Sequence, residues 1–428
     1  MNKFMFLSFL MIFFGGMSII KSSIFALENK HNYIFGNVSP GFEEVKIEFE
    51  KNFIERGEIG AACAVYYKGI KVVDLWGGYR KDKDLWKEET KAITFSATKG
   101  ISAIIFAKLN SEGLIDYEEK VAKYWPEFAK NGKEDITIRQ LLAHQGGLVL
   151  LENKLQISQR NDYEKTAREL ENAKPLWKPG EYQGYHAGTI GLYMQELVRR
   201  VDKKHRTLGT YFREEIAEPL GIEFYIGLPE YIKDEEIAEI KMVNPFLALL
   251  NIGKMPKGMR KVVMNFNSLF MKSMVLTEGY DPNKRETWRI EEPAGNGIGT
   301  ARAMAKLYGI MAMGGEELGI KEDTMDFITG EPEKPEKGYI DRVMNIETRY
   351  KAGFMKPDPI FTFSNSDKAF GFLGVTGTFA FADPDRQIGY AYVTRKMGYY
   401  GVNDPREKNI RAAMYRCIEQ LEKNESPN

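Results

Sequence analysis

The alternation of apolar and polar positions divides this chain into strand-like ends and a helical middle. Val45, Phe49 and Phe53 recur every four residues within 41–57, the spacing of a helix that buries one stripe. Ala61 to Tyr67 is a small-apolar run suited to a central strand, and Val72 to Trp76 is a second, with the turn signal Lys68-Gly69 between them. A loop rich in Lys and Asp then leads to the apolar run Ile101 to Leu109, a helix that stops at Glu112-Gly113. Helical patterns follow at Ile138 to Leu148, which runs into Gly146-Gly147, at 160–172, and at Ala187 to Val201 with Ile190, Tyr193, Met194, Leu197 and Val198 on one side. Further helices are predicted at Phe212 to Leu220 and Thr300 to Met313. Strands return at Gly377 to Ala382 and Ile388 to Val393, around the turn Asp383-Pro384-Asp385-Arg386. The last helix carries Ile410, Met414, Cys417, Ile418 and Leu421 on one stripe.

This order predicts an α+β fold. One antiparallel sheet, built from about 41–93 and 340–422, is faced by the first and last helices, and about 94–339 forms a mostly helical lobe. A site would lie in the groove between the lobes. Residues 229–290 show no clear repeat. A charged helix-like piece, Asp234 to Met242, precedes Met- and Phe-rich pieces around Lys254, Lys257, Arg260 and Lys261. We read them as a helical cover over the groove, with contact to a membrane surface as the alternative. Gly295-Asn296-Gly297-Ile298-Gly299 superficially suits phosphate binding, but no strand pattern comes before it.

Composition narrows the function classes. The 428 residues are 43% apolar and 28% charged, ordinary globular values, and 60 basic side chains balance 60 acidic ones. Nothing in that balance suggests nucleic acid or a strongly charged substrate. Cys63 and Cys417, far apart and in apolar runs, read as two buried free thiols rather than a metal or disulfide framework. Lys3, the uncharged run Phe4 to Ile20 and the small residue Ala26 have the form of a secretory signal peptide over 1–26, with an uncleaved membrane anchor as the alternative. Export would place the protein outside the cell or in the secretory lumen. Residues 27–40 read as a linker and 423–428 as a tail.

The candidate chemistry begins at Ser96-Ala97-Thr98-Lys99. A serine and a lysine three positions apart at a helix start share one face. A desolvated lysine has a lowered pKa and can take the serine proton, so the pair is a compact nucleophile and base. Tyr185, in Gly184-Tyr185-His186-Ala187-Gly188 after a Pro-Gly turn, is the candidate proton relay. An oxyanion hole needs two backbone N–H groups. Ser96 can supply its own, and Gly374-Val375-Thr376-Gly377, read as a strand entrance, has the glycines for close backbone approach. The four histidines show no metal spacing, and Gly-x-Ser-x-Gly is absent. His144 and His186 read as structural supports.

Together, in this order and at these wide spacings, the motifs resemble the β-lactamase-related serine hydrolases: class C β-lactamases, D-aminopeptidases, carboxylesterases of the same fold and animal β-lactamase domain-containing proteins. Val73-Asp74-Leu75-Trp76-Gly77-Gly78, Leu141-Leu142-Ala143-His144-Gln145-Gly146-Gly147-Leu148, Trp177-Lys178-Pro179-Gly180 and Phe381-Ala382-Asp383-Pro384 extend the likeness over 41–420. The resemblance implies an acylated nucleophile at Ser96, a general base at Lys99 and a relay at Tyr185. It places the second oxyanion N–H at Val375, shaped by Gly374 and Gly377, and sets Gln145 along the pocket. It implies no cofactor and no metal, and a small-molecule ester or amide as substrate. Two positions depart from class C β-lactamases. Ala187 replaces the Asn of Tyr-x-Asn, and Phe372 stands where Lys-Thr-Gly has its cation. The expected activity is therefore esterase-like, on a short acyl ester, with weak or no β-lactamase activity. A catalytically inactive binding or assembly module is the alternative.

Overall fold

The computed structural model describes residues 33–156, 159–274 and 277–425. Nine antiparallel strands form its main sheet: β1 (Ile34–Val38), β2 (Gly60–Tyr67), β3 (Ile70–Lys81), β4 (Asp84–Leu85), β5 (Tyr350–Lys351), β6 (Phe354–Met355), β7 (Phe370–Leu373), β8 (Phe379–Asp383) and β9 (Ile388–Thr394). Their order is β1-β3-β2-β9-β8-β7-β6-β5, with β4 paired to β3. The two ends of the chain meet at the centre, where Cys63 on β2 lies opposite Tyr392 on β9. Lys68 and Gly69 both have positive φ, so the β2–β3 hairpin turns as the sequence pattern requires.

β2 is buried along nearly its whole length because both faces of the sheet are covered. Ala61, Cys63 and Val65 face one way, into a core with Val45, Phe49 and Phe53 of α1 (Glu43–Ile54) and with Ile410, Met414 and Ile418 of the C-terminal helix Pro405–Glu425. Ala62 and Ala64 face the other way, against Met304, Ala305 and Tyr308 of the helix Ala301–Ala312. That approach is backbone to backbone: a Cβ on Gly389 would sit 2.1 Å from the Gly309 nitrogen. Cys63 and Cys417 are free and buried, as expected.

Several expectations are corrected. Part of the supposed linker, Ile34–Val38, is an edge strand hydrogen-bonded to β3. The helix Ala301–Ala312, assigned by its sequence position to the helical lobe, packs on the sheet, because its small residues fit the alanines of β2 and the glycine of β9. Asp234 to Met242 is not a helix. It makes one 3-10 turn, Asp234–Glu236, and then extends, with the Ala238 N–H donating to the Lys91 carbonyl and Ile237 and Ile240 buried. The glycine-rich stretch before Thr300 is itself a strand, Gly297–Gly299, central in a small sheet between Ala92–Ile93 and Phe224–Ile226. Residues 1–26 lie outside the described residues, and so does the tail from 426 to 428. Among the described residues no helix is long and apolar enough to cross a membrane.

Candidate active site

Ser96 lies in a single 3-10 turn, Phe95–Ala97, that runs without a break into α2 (Thr98–Ser111). Phe95, immediately before it, has φ +48, a left-handed conformation that a bulky side chain adopts only under constraint. The constraint is a ring of hydrogen bonds to the small sheet. The Thr94 N–H and hydroxyl both donate to the Gly297 carbonyl, at 2.8 and 3.1 Å. The Gly297 N–H donates to Thr98 Oγ1 at 2.9 Å, and that hydroxyl donates to the Phe95 carbonyl at 2.6 Å. The glycine stretch that resembled a phosphate loop therefore clamps the serine turn.

Lys99 points inward from the first turn of α2 and is 2% exposed. Its Nζ lies 3.2 Å from Ser96 Oγ and 2.7 Å from each of two backbone carbonyls, Ala187 and Ala294. Burial holds its pKa well below the usual lysine range. A neutral amine has two N–H donors and one lone pair. The two carbonyls take the donors, which leaves the lone pair for the serine hydroxyl.

Tyr185 Oη lies 2.7 Å from the same Ser96 Oγ. Burial raises the phenol well above its ordinary pKa, against the hydrogen bond to Ser96, and Asp341 adds to the rise. The group therefore stays protonated and donates. Ser96 Oγ can thus accept from Tyr185 while giving its own proton to Lys99, whose depressed pKa favours the free amine. Tyr185 is positioned by a buried carboxylate: Asp341 Oδ1 accepts the Val343 and Met344 N–H groups at 2.8 Å each, and Asp341 also accepts the Tyr185 N–H. Gly184 lies close against Trp177, where a Cβ would meet the indole at 2.5 Å.

His144 and His186 are structural, as read from the sequence. His186 Nδ1 lies 2.7 Å from the Gly184 carbonyl and Nε2 accepts the Leu148 N–H at 2.8 Å, which defines one neutral tautomer. Burial lowers its pKa to about 4. His144 Nδ1 accepts the His186 N–H at 3.2 Å, and its ring meets that of Tyr185 edge-on.

Gly374 to Thr378 is a turn between β7 and β8 rather than the opening of a strand, a correction to the sequence reading. Gly374 comes so close to the serine turn that a Cβ on it would lie 2.3 Å from the Thr94 carbonyl. Gly377 has φ +98 and its N–H closes the turn on the Gly374 carbonyl at 3.0 Å. Arg406 anchors the turn from behind. Its Nη2 donates to the Thr376 carbonyl at 3.0 Å and to Asp404 at 2.7 Å, and its Nη1 donates to buried Glu58 at 2.9 Å. Val375, 39% exposed, is thereby presented beside Ser96. Gly374→Ala is expected to push this turn off the serine turn. The expected result is a lower kcat with little change in KM, and a loss of about 1–3 kcal/mol in urea unfolding.

Two cavities open on Ser96 and Val375. The larger, about 390 Å³, is almost wholly apolar and also reaches Tyr185, Phe270, Met271 and Phe372. The other, about 360 Å³, contains the buried Arg160–Glu292 ion pair. Gln145 lines neither and is a second correction. It is buried, with Nε2 on the Glu333 carbonyl at 3.0 Å, because its glycine turn packs beneath Pro175 and Trp177. The segment read as a cover does roof the larger cavity, through Ala248, Met255, Met259, Val263 and Met274.

A family model described as Beta-lactamase matches residues 47–414. The chain belongs to the β-lactamase family. LipL of Mycobacterium tuberculosis (strain ATCC 25618 / H37Rv), named an esterase/beta-lactamase, is 33% identical over 85% of this chain and 83% of its own length. The crystal structure of a family VIII carboxylesterase superposes with a TM-score of 0.78 at 33% identity, covering 90% of this chain and 99% of that one. A penicillin-binding protein homologue from Caulobacter crescentus gives 0.77 at 34% identity over the same shares. Within the β-lactamase family this chain is an esterase-like serine hydrolase.

In this β-lactamase-family site Phe372 stacks on the Tyr185 ring at 6.3 Å between centroids, and Lys99 Nζ is 5.7 Å from its centre. An apolar ring thus occupies the side of Tyr185 where the resemblance to class C enzymes sets a cation. Sequence reasoning missed Asp341, Arg406 and the two carbonyls that hold Lys99. An isolated Asp or Arg carries no pattern, and a carbonyl belongs to every residue.

Proposed function

We propose that Ser96 attacks the carbonyl of an ester, with Lys99 as general base and Tyr185 as proton donor. The observation that carries this reading is the geometry: the Ser96 hydroxyl lies between the Lys99 amine, whose pKa burial depresses, and the Tyr185 phenol, whose pKa burial raises. As Oγ bonds to the acyl carbon, its proton moves to Lys99 Nζ. The Ser96 and Val375 N–H groups receive the oxyanion. The carbon–oxygen bond to the alcohol then breaks, and the alkoxide takes a proton from the Tyr185 phenol, which Lys99 replenishes. Water repeats the sequence on the acyl-enzyme and releases the acid.

Phe372, in place of a cation on that side of Tyr185, supports esters over β-lactams. A substrate carboxylate would face Phe372 rather than an ammonium, and desolvating it there is costly. The inactive-module reading is disfavoured by contact of both Lys99 and Tyr185 with Ser96 and by the open cavity above them. The apolar leader Phe4 to Ile20 supports export of the protein. A fluorophosphonate probe tests the reading directly. It should add one phosphonyl group per chain, and digestion should locate the adduct on the peptide carrying Ser96. Labelling elsewhere, or none in a folded sample, would sink it.

A further inference from the structure

The roof of the larger cavity has an outer face that the catalytic reading does not use. Among the described residues seventeen large apolar side chains are exposed, and eight of them lie in 242–274; Met242 and Met274 line the cavities, and the other six face outward. Phe246 is 67% exposed, Leu249 58%, Leu250 66%, Met264 59% and Phe266 82%. A soluble surface carries such side chains singly, and concentrating them in one short segment marks a contact surface. The same segment is cationic. Between Glu239 and Glu278 there is no acidic residue, while Lys241, Lys254, Lys257, Arg260, Lys261 and Lys272 all fall there. Lys254, Lys257, Lys261 and Lys272 are exposed.

We infer that this segment docks on an anionic lipid surface. Of three short helices, Pro245–Leu250 carries Phe246, Leu247, Leu249 and Leu250, while Lys257–Val263 and Leu269–Ser273 carry Lys257, Lys261 and Lys272, with Met264 and Phe266 in the turn between them. Short amphipathic helices with lysines among Phe and Leu bind the headgroup boundary by two additive terms. Apolar side chains bury in the acyl region, and each lysine gains from the negative surface potential. The inner faces of the same helices line the cavity that reaches Ser96. Docking therefore sets the cavity roof against the membrane. If the ester reading above holds, the substrate class is an uncharged lipophilic ester that partitions into that membrane and enters under the roof. The roof is held at its other side: a Cβ on Gly258 would collide with the Asn345 carbonyl, so the helix Lys257–Val263 sits directly on the protein backbone there. Charge complementarity selects a lipid surface over a second copy of this chain, whose matching face would be equally cationic.

The test is sedimentation of the full chain with vesicles of phosphatidylcholine alone or mixed with phosphatidylglycerol, beside hydrolysis of soluble p-nitrophenyl acetate. Wild type should bind the mixed vesicles, and salt should release part of it. The exposed triple variant F246S/L250S/F266S should bind about tenfold less or weaker still, while hydrolysing the soluble ester like wild type. No binding by wild type, or equal binding by the triple variant, overturns the proposal. So does concentration-dependent dimerisation that the triple variant abolishes, because the face would then be a self-contact. Equal binding to both vesicle types overturns the anionic assignment. Vesicle binding without ester hydrolysis leaves docking standing and removes the ester reading.

Discussion

Ser96→Ala is expected to lower kcat/KM for an activated ester on the order of 10⁶-fold, and Lys99→Met almost as much, with the double variant no worse than either. The near-equality follows from the geometry. Among the described residues Lys99 Nζ has no carboxylate partner and touches Ser96 and two carbonyls. Its lone pair therefore has one chemical use, and the hydroxyl has one acceptor for its proton. Removing either end disables the same event. Steady-state kinetics with p-nitrophenyl esters, after circular dichroism has confirmed folding, would measure this. A Lys99→Met variant within tenfold of wild type would remove Lys99 from the mechanism.

The same lysine sets the acid limb of the pH profile. Its folded pKa is depressed by burial, and only the free amine can act as base. kcat/KM should rise with pH through that depressed pKa and reach a plateau. Linkage gives a matching sign in stability. Between the depressed folded pKa and the ordinary unfolded one, the unfolded chain binds the extra proton, so stability rises with pH. The unfolding free energy of wild type relative to Lys99→Met should therefore increase with pH across that window. A difference that is flat or falls with pH would mean that Lys99 is charged in the fold.

Tyr185→Phe is expected to cost about 10²–10⁴-fold in kcat, the range for a lost proton donor, with KM changed much less. The phenol is held protonated by burial, and its partner Ser96 Oγ accepts. The loss should grow as the leaving alcohol becomes more basic, because a poorer leaving group depends more on protonation. Nitrophenyl esters should therefore be the least affected and alkyl esters the most. The acid limb should persist in the variant, since it belongs to Lys99. If the acid limb vanished with Tyr185, the assignments of base and donor would have to be exchanged.

Phe372 shows how closely the site was legible in the sequence. Its place beside the glycine turn argued for an ester rather than a charged lactam, and its stacking on Tyr185 supplies the reason: an apolar wall leaves the phenol neutral. Gly374 and Gly377 were equally legible, because only residues without a Cβ allow the turn to approach Thr94 and Arg406 so closely. Gln145 was misread because its neighbours His144 and Gly147 do support the Tyr185 segment, while its own amide turns away to Glu333. The stretch 234–242 misled because its charge pattern suits a helix, whereas pairing with Lys91 and burial of its isoleucines select an extended chain.

The sequence by itself determined what is local: the period of each helix and strand, the hairpin at Lys68-Gly69, and the serine and lysine one turn apart. These depend on neighbours within a few residues, and backbone sterics and side-chain spacing fix them. The tertiary structure decided everything that needs distant groups at one point. It brought the Ala294 carbonyl to a lysine 195 residues earlier and Tyr185 to a serine 89 residues earlier. It set Asp341 behind Tyr185 and Arg406 behind Val375. Burial then lowered the lysine's pKa and raised the tyrosine's. Burial belongs to the packed molecule and to no single stretch of its chain.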